Sequence, residues 1–274
     1  MIELVSYGNQ LCSGKYKLHS KFNSAVNFIF GDTFVFVVNE SIGSGPLNIV
    51  IKGIAPMSVN SLEISEGCMY LNNTKLEFDA GKLYDPVTYL QEFDYNNFIR
   101  NLVFLENSVI KLSPQHSLAY LLDPNRRLEF SSSFELEYVK RIDLGVREIL
   151  YGNILIGVGL IKGLGPGLTP AGDDFNSGLL IALNLIEKIS SSDMQKSIKL
   201  IYQEAVGANL FTNAFLHCAS QGFLFYKFRE LINAVLYSDQ NSILNKTESV
   251  LSIGETSGAD QLVGFLIGMK RFLI

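Results

Sequence analysis

The sequence predicts an α+β protein: a β-rich N-terminal lobe over residues 1–125, a small antiparallel sheet or barrel, followed by a mainly helical lobe over residues 126–274. Three observations predict it. β-branched and aromatic runs broken by tight-turn residues recur from Phe28 to Phe78. A loop signal, Asp123-Pro124-Asn125-Arg126-Arg127, comes later. Beyond it, apolar residues recur at helical rather than alternate spacing.

The strand-forming runs are Phe28-Ile29-Phe30, Thr33 to Val38 and Asn48 to Ile51. They are bounded by Gly31-Asp32, Gly43-Ser44-Gly45-Pro46 and Lys52-Gly53. Ser61 to Ser65 alternates. Glu66-Gly67 then turns into Cys68 to Leu71, and Asn72-Asn73 turns into Lys75 to Phe78. Between Asp85 and Glu106, an early Pro86 with Val87, Leu90 and Phe93 allows a short helix. Phe134, Leu136, Val139, Ile142, Val146, Ile149 and Leu150 then follow helical spacing, and Gly152 ends that helix. Ile154 to Ile161 is an almost unbroken apolar run and reads as a buried strand or extended segment. Further helical patterns cover about 170–190, 194–221, 223–237, 240–252 and 258–273.

The chain has 274 residues, 47% apolar and 18% charged, with a net charge of −5. Without a basic face it is not read as a nucleic-acid binder. Three scattered cysteines, Cys12, Cys68 and Cys218, have no metal-type spacing and suit a reducing, cytoplasmic setting. Met1-Ile2-Glu3-Leu4 lacks the pattern of a signal peptide, and no apolar run reaches the length of a membrane span.

The segment Gly163-Leu-Gly-Pro-Gly-Leu-Thr-Pro-Ala-Gly-Asp-Asp-Phe-Asn-Ser-Gly178 carries the strongest functional signal. Gly163, Gly165, Gly167 and Gly172 are more glycines than a packed turn needs. A glycine-rich loop opening onto a helix offers backbone N–H groups and the positive end of a helix dipole to an anion. Thr169 sits where an N-cap would, with Pro170 at the first helical position, which is ordinary helix-start chemistry. Asp173 and Asp174 fall in the first turn, about 100° apart around the helix axis. One is expected to face the loop and the other a different element.

A second segment repeats the pattern. Gly172-Asp173-Asp174-Phe175-Asn176-Ser177-Gly178 aligns with Gly258-Ala259-Asp260-Gln261-Leu262-Val263-Gly264. Asp174 and Asp260 coincide, and each has a glycine four residues on, on the same helix face, where it admits close approach of another backbone. Ser257 with Asp260 also fits a capping box, although Glu or Gln is the usual partner. The expectation is that the two helix starts converge on one ligand: a phosphate, a carboxylate or a Mg²⁺-linked anion. Asn at position 174 or 260 is then expected to abolish binding in a folded protein. The loop is not a phosphate-binding Walker loop, because Lys162 precedes the glycines, nor a dinucleotide fingerprint, because Pro166 interrupts it.

Asn209, Asn213 and His217 form a stripe at spacing of four, with Thr212 and Ser220 nearby. It is either a solvated face or a polar wall for a ligand. His19 and His116 are isolated, and no Ser-His-Asp or Cys-His order stands out. Ser24-Ala25-Val26-Asn27 and Gly43 to Pro46 are turn and strand-end chemistry.

The long glycine-rich segment, Gly163 to Phe175, resembles the signature of the AllH (YlbF-like) family, formerly a domain of unknown function. Phe22 to Phe28 and Gly45-Pro46 resemble its N-terminal motifs. Phe215-Leu216 with Ala219 and Gly222 resembles its helical motif, and Thr256 to Asp260 its last one. Thr212 departs from the serine expected there but keeps the hydroxyl. The resemblance implies a subunit of oxamate carbamoyltransferase, an enzyme of anaerobic allantoin breakdown. That enzyme moves a carbamoyl group between carbamoyl phosphate and oxamate, giving oxalurate and phosphate, with FdrA-like and AllG-like partner subunits. On this reading Asp173, Asp174 and Asp260 orient the nucleophile or hold a metal such as Mg²⁺. The loop glycines, Thr169, Ser257, Gly258, Asn213 and His217 bind the ligand. The competing readings are a non-catalytic anion-binding scaffold and a Mg²⁺-dependent phosphate or nucleotide enzyme.

Overall fold

The structure is a computed structural model and describes residues 2–273; Met1, quoted above at the start of the chain, and Ile274 lie outside it. The chain forms two compact units. The first holds residues up to Val87 together with Phe223–Arg229, and the second holds Thr88–Gly222 and Glu230 onward. Residue 125, where the sequence suggests the change of lobe, lies within the second unit.

The first unit is a nine-stranded sheet curled into a half-barrel. Its strands are β1 Glu3–Gly8, β2 Gly14–Lys21, β3 Ala25–Phe30, β4 Thr33–Val38, β5 Asn48–Lys52, β6 Leu62–Ser65, β7 Cys68–Leu71, β8 Thr74–Glu77 and β9 Leu83–Tyr84. The order is β8-β7-β6-β2-β3-β4-β5-β1-β9. The sheet is mixed: β4–β5 and β1–β9 are parallel, and the other pairs are antiparallel. The three shortest connections are the ones marked by turn residues. Phe30 pairs with Thr33 across Gly31-Asp32, Ser65 with Cys68 across Glu66-Gly67, and Leu71 with Thr74 across Asn72-Asn73. Alternate side chains of the strands, among them Val26, Phe28, Val35, Val37, Ile49, Ile51, Leu62, Ile64, Met69 and Leu71, fill one core.

The second unit is helical: α1 Tyr95–Leu112, α2 Ser133–Tyr151, α3 Ile154–Ile161, α4 Ala171–Ser190, α5 Gln195–Ala205, α6 Leu210–Ser220, α7 Tyr226–Tyr237, α8 Gln240–Leu251 and α9 Ser257–Phe272. The first turn of α7 counts with the first unit. Caps fix several boundaries. Ser132 and Glu135 form a capping box on α2, whose other end is closed by Gly152 in the left-handed region at φ 96°. Two backbone N–H groups and the Ser132 hydroxyl hold the Glu135 carboxyl down at about 2. No described helix is long and apolar enough to cross a membrane.

Three expectations about elements need correction. The helix around Asp85 to Glu106 starts only at Tyr95, because the Asp94 carboxylate caps the N–H groups of Asn96 and Asn97. The carbonyl of Pro86 is instead taken by the N–H of Leu224. Ile154–Ile161 is a helix and not a buried strand. Gly157, Val158 and Ile161 face inward at helical spacing, while Leu155, Ile156 and Leu160 are exposed. A short apolar run does not by itself separate the two. The pattern over 194–221 is two helices. The Asn213 side chain bonds both backbone groups of Gly207, and Lys162 Nζ takes the carbonyls of Glu204 and Val206, so the chain turns between α5 and α6.

Candidate functional site

The site grows out of the packing of α4 on α9. A Cβ on Gly178 would lie 1.9 Å from the carbonyl oxygen of Gln261, and one on Gly264 2.0 Å from that of Phe175. Each helix therefore uses its own glycine to seat the backbone of the other, which no larger residue permits. The starts of the two helices repeat this relation with the helix before. A Cβ on Gly172 would meet the Ile161 carbonyl oxygen of α3 at 1.9 Å, and one on Gly258 the Val250 carbonyl oxygen of α8 at 2.0 Å. The echo in the sequence is thus a structural echo.

This packing brings the two helix starts together. Thr169 Oγ1 and Ser257 Oγ lie 2.8 Å apart and share a hydrogen bond. Neither residue caps its helix as the sequence suggests. Pro170 occupies the N-cap position of α4, with its carbonyl accepting from the N–H groups of Asp173 and Asp174, and Thr256 occupies that of α9. The hydroxyls of Thr169 and Ser257 are directed to one another instead, a tertiary choice that local sequence does not contain.

The adjacent aspartates divide as expected. Asp173 turns to the loop, where Oδ1 accepts the Gly163 N–H at 2.7 Å. Burial raises its pKa, against the pull of that N–H, the Thr212 hydroxyl and Lys162. Asp174 turns toward α9. Burial first, then the Asp260 charge, hold its pKa well above the usual carboxylate range, while the Ser257 and Thr169 hydroxyls oppose them. Asp260 is wholly buried, and its Oδ1 accepts the N–H of Leu118 at 2.6 Å, from the 3-10 turn Leu118–Leu121. Burial pushes the Asp260 carboxyl up to about 7, despite that N–H and the Thr256 hydroxyl. Asp174 and Asp260 each keep an Oδ2 closed off from solvent with no hydrogen-bond partner among the described residues.

The loop between α3 and α4 completes the picture. Gly163, Gly165 and Gly167 have φ of 70°, 120° and 94°. Leu164 and Gly172 donate inward, to Ile161 and Leu164. No hydrogen bond among the described residues uses the N–H of Gly165, Gly167, Leu168 or Thr169. The start of α6 buttresses the loop: Asn209 caps α6 and donates to the Leu168 carbonyl at 2.9 Å.

Gly163, Gly165, Gly167, Thr169, Gly172, Asp173, Asp174, Ser257, Gly258 and Asp260 therefore belong to one neighbourhood. Asn213 is engaged with Gly207, and His217 is exposed two turns along α6, with its ring 5.9 Å from that of Tyr202. Of that stripe, Asn209 reaches the loop through the Leu168 carbonyl, and the neighbouring Thr212 hydroxyl acts on Asp173. Sequence reading missed Leu118 and Tyr138. Burial raises the phenol of Tyr138 on α2, and the charges of Asp260 and Asp174 raise it further. Residues so distant in sequence carry no local signal. No group of three or more His, Cys, Asp or Glu among the described residues is arranged to hold a metal.

Residues 161–269 match the family of the oxamate carbamoyltransferase subunit AllH.

The matched stretch runs from the end of α3 into the last turn of α9, so it contains the loop, both aspartate-bearing helix starts and the glycines that seat them. The glycine-rich segment that carries the resemblance lies within this matched stretch. No solved structure matches the chain.

Proposed function

We propose that the AllH-like stretch binds a small anion within a carbamoyltransferase assembly. The substrates would be carbamoyl phosphate and oxamate, or oxalurate and phosphate in reverse, and FdrA-like and AllG-like subunits would be the partners. The observation that carries this reading is the contact between Thr169 and Ser257, which sets the starts of α4 and α9 side by side next to a loop in which the N–H groups of Gly165, Gly167 and Leu168 meet no partner among the described residues. Two helix dipoles and several amides then act on one guest, each favouring negative charge. Carbamoyl transfer asks little covalent chemistry of a protein. It needs charge stabilisation on the phosphate and the developing oxyanion, and a held nucleophile. The amides of Gly165, Gly167 and Leu168 suit the first task.

Calorimetric titration with inorganic phosphate and carbamoyl phosphate tests this. Gly167→Ala adds a Cβ into open space but disfavours the left-handed backbone at φ 94°. It is expected to weaken binding by about tenfold or more, a loss of about 1.4 kcal/mol, without unfolding the protein. Oxalurate cleavage by the chain co-expressed with its partners tests the reaction. A Gly167→Ala complex that assembles and turns over at the normal rate would leave this chain a scaffold.

A further inference from the structure

The site poses a physical problem. An anion at the loop would face Asp174, with the sealed Asp260 behind it, and ionised carboxylates near a dianion repel it. At both carboxyls burial outweighs the hydrogen bonds they receive, from the Leu118 N–H and Thr256 hydroxyl at Asp260 and from the Ser257 and Thr169 hydroxyls at Asp174. Asp260 is wholly buried on α9, and its Oδ2 is unbonded. The Oδ2 of Asp174, on the abutting α4, is equally shut away. Among the described residues no cationic side chain bonds either carboxyl: the Lys162 ammonium is engaged by the carbonyls of Glu204 and Val206 at the end of α5, and the Arg127 guanidinium lies over the Tyr120 ring and pairs with Asp143. The ionisable groups facing Asp174 are Asp173 on its own helix, Asp260 on α9 and Tyr138 on α2. Those facing Asp260 are Asp174, Tyr138 and Tyr120 of the Leu118–Leu121 turn. All of them are acids, and the Thr169, Ser257 and Thr256 hydroxyls are the neutral polar neighbours.

We propose that Asp260 is a positioning residue that acts through Asp174, keeping a proton on the Asp174 carboxyl so that anion binding at the loop is coupled to proton uptake. The inference rests on the anion-binding reading above and names its regulation. Asp260 does not reach the guest; its position is fixed by the Leu118 N–H at 2.6 Å. Its charge, held beside Asp174 by the seating of Gly178 and Gly264, makes the ionised pair unfavourable, so one proton stays in the pair. A neutral Asp174 lets the dipoles act on the guest unopposed. This changes the expectation for the Asn variants: an amide imitates a protonated carboxyl, so Asp174→Asn should remove the pH dependence rather than the site.

The test uses sulfate, whose charge does not change in the range studied. In the wild-type chain its affinity should fall by up to about tenfold for each pH unit above the titration of the pair. Calorimetry above that titration, in two buffers of different ionisation heat, should show proton uptake on binding. Asp260→Asn keeps an acceptor for Leu118 and should move the loss of affinity to lower pH; Asp174→Asn should flatten the profile. Carboxyl carbon NMR of the ligand-free wild type should show Asp174 still protonated at neutral pH. Sulfate binding without proton uptake above the titration of the pair, an Asp260→Asn profile that does not move, or an Asp174 that titrates near the ordinary carboxylate value would overturn the coupling alone. Absence of sulfate binding at every pH would overturn both the coupling and the anion site.

Discussion

The two helix starts, 172–178 and 258–264, share a pattern of glycine, aspartate and glycine, yet the structure uses them differently. Both glycine pairs do the same work, seating a foreign carbonyl within about 2 Å of where a Cβ would be. The aspartates part company. Asp260 is sealed and committed to the Leu118 N–H, while Asp174 stands beside the hydroxyls of Thr169 and Ser257 next to an open loop. The loops differ too. The one before α4 holds three glycines with positive φ, and the one before α9 holds Gly254. A duplicated packing device has thus kept its glycines for architecture in both copies, while the polar residue is structural in one and faces the candidate site in the other.

The comparison can be broken most forcefully at the glycines. Gly178→Val and Gly264→Val should each cost about 3 kcal/mol or more, because the helices must separate to admit a side chain. Urea unfolding measures it, and equal stability to wild type would mean that α4 and α9 are not held by mutual backbone contact. Next come the aspartates. Asp260→Ala leaves the buried Leu118 N–H unpaired and should cost about 1–3 kcal/mol, whereas Asp174→Ala should cost less. The reverse order would exchange the roles assigned to the two copies.

The pH dependence sharpens the comparison further. Asp173, Asp174 and Asp260 all have folded pKa values above their unfolded ones, Asp260 at about 7. As pH rises from about 4 to about 7, the folded state therefore holds protons that the unfolded state has released, and stability falls across that window. Above it the Asp260 contribution levels off. Glu135 and Asp239, with lowered values, act the other way, and theirs is lost as pH falls below about 4. Unfolding curves from about pH 5 to about pH 8 should show the decline, and Asp260→Asn should make it shallower. The smallest expected effect is at the bridge. Ser257→Ala and Thr169→Val should each cost about 1 kcal/mol, and a double-mutant cycle should show them coupled.

Much of this was legible in the chain. The turn pairs Gly31-Asp32, Glu66-Gly67 and Asn72-Asn73 gave the hairpins, and Gly152 gave the end of α2, because such residues act within a few positions of themselves. The paired Gly-Asp-Gly spacing gave the mutual seating of α4 and α9. What escaped was set at long range. Ile154–Ile161 has one composition for strand or helix, and only its fit of Gly157 against Gly145 on α2 decides.

By itself the sequence determined that strands come first and helices after, together with the loop and the helix faces that carry aspartate and glycine, since periodicity and backbone freedom are properties of neighbouring residues. Only the tertiary structure decided that Thr169 meets Ser257, that the Leu118 N–H reaches Asp260, and that the phenol of Tyr138 feels both carboxylate charges. Those pairings depend on how tightly two helices can close, and that distance is set by atoms far apart in the chain.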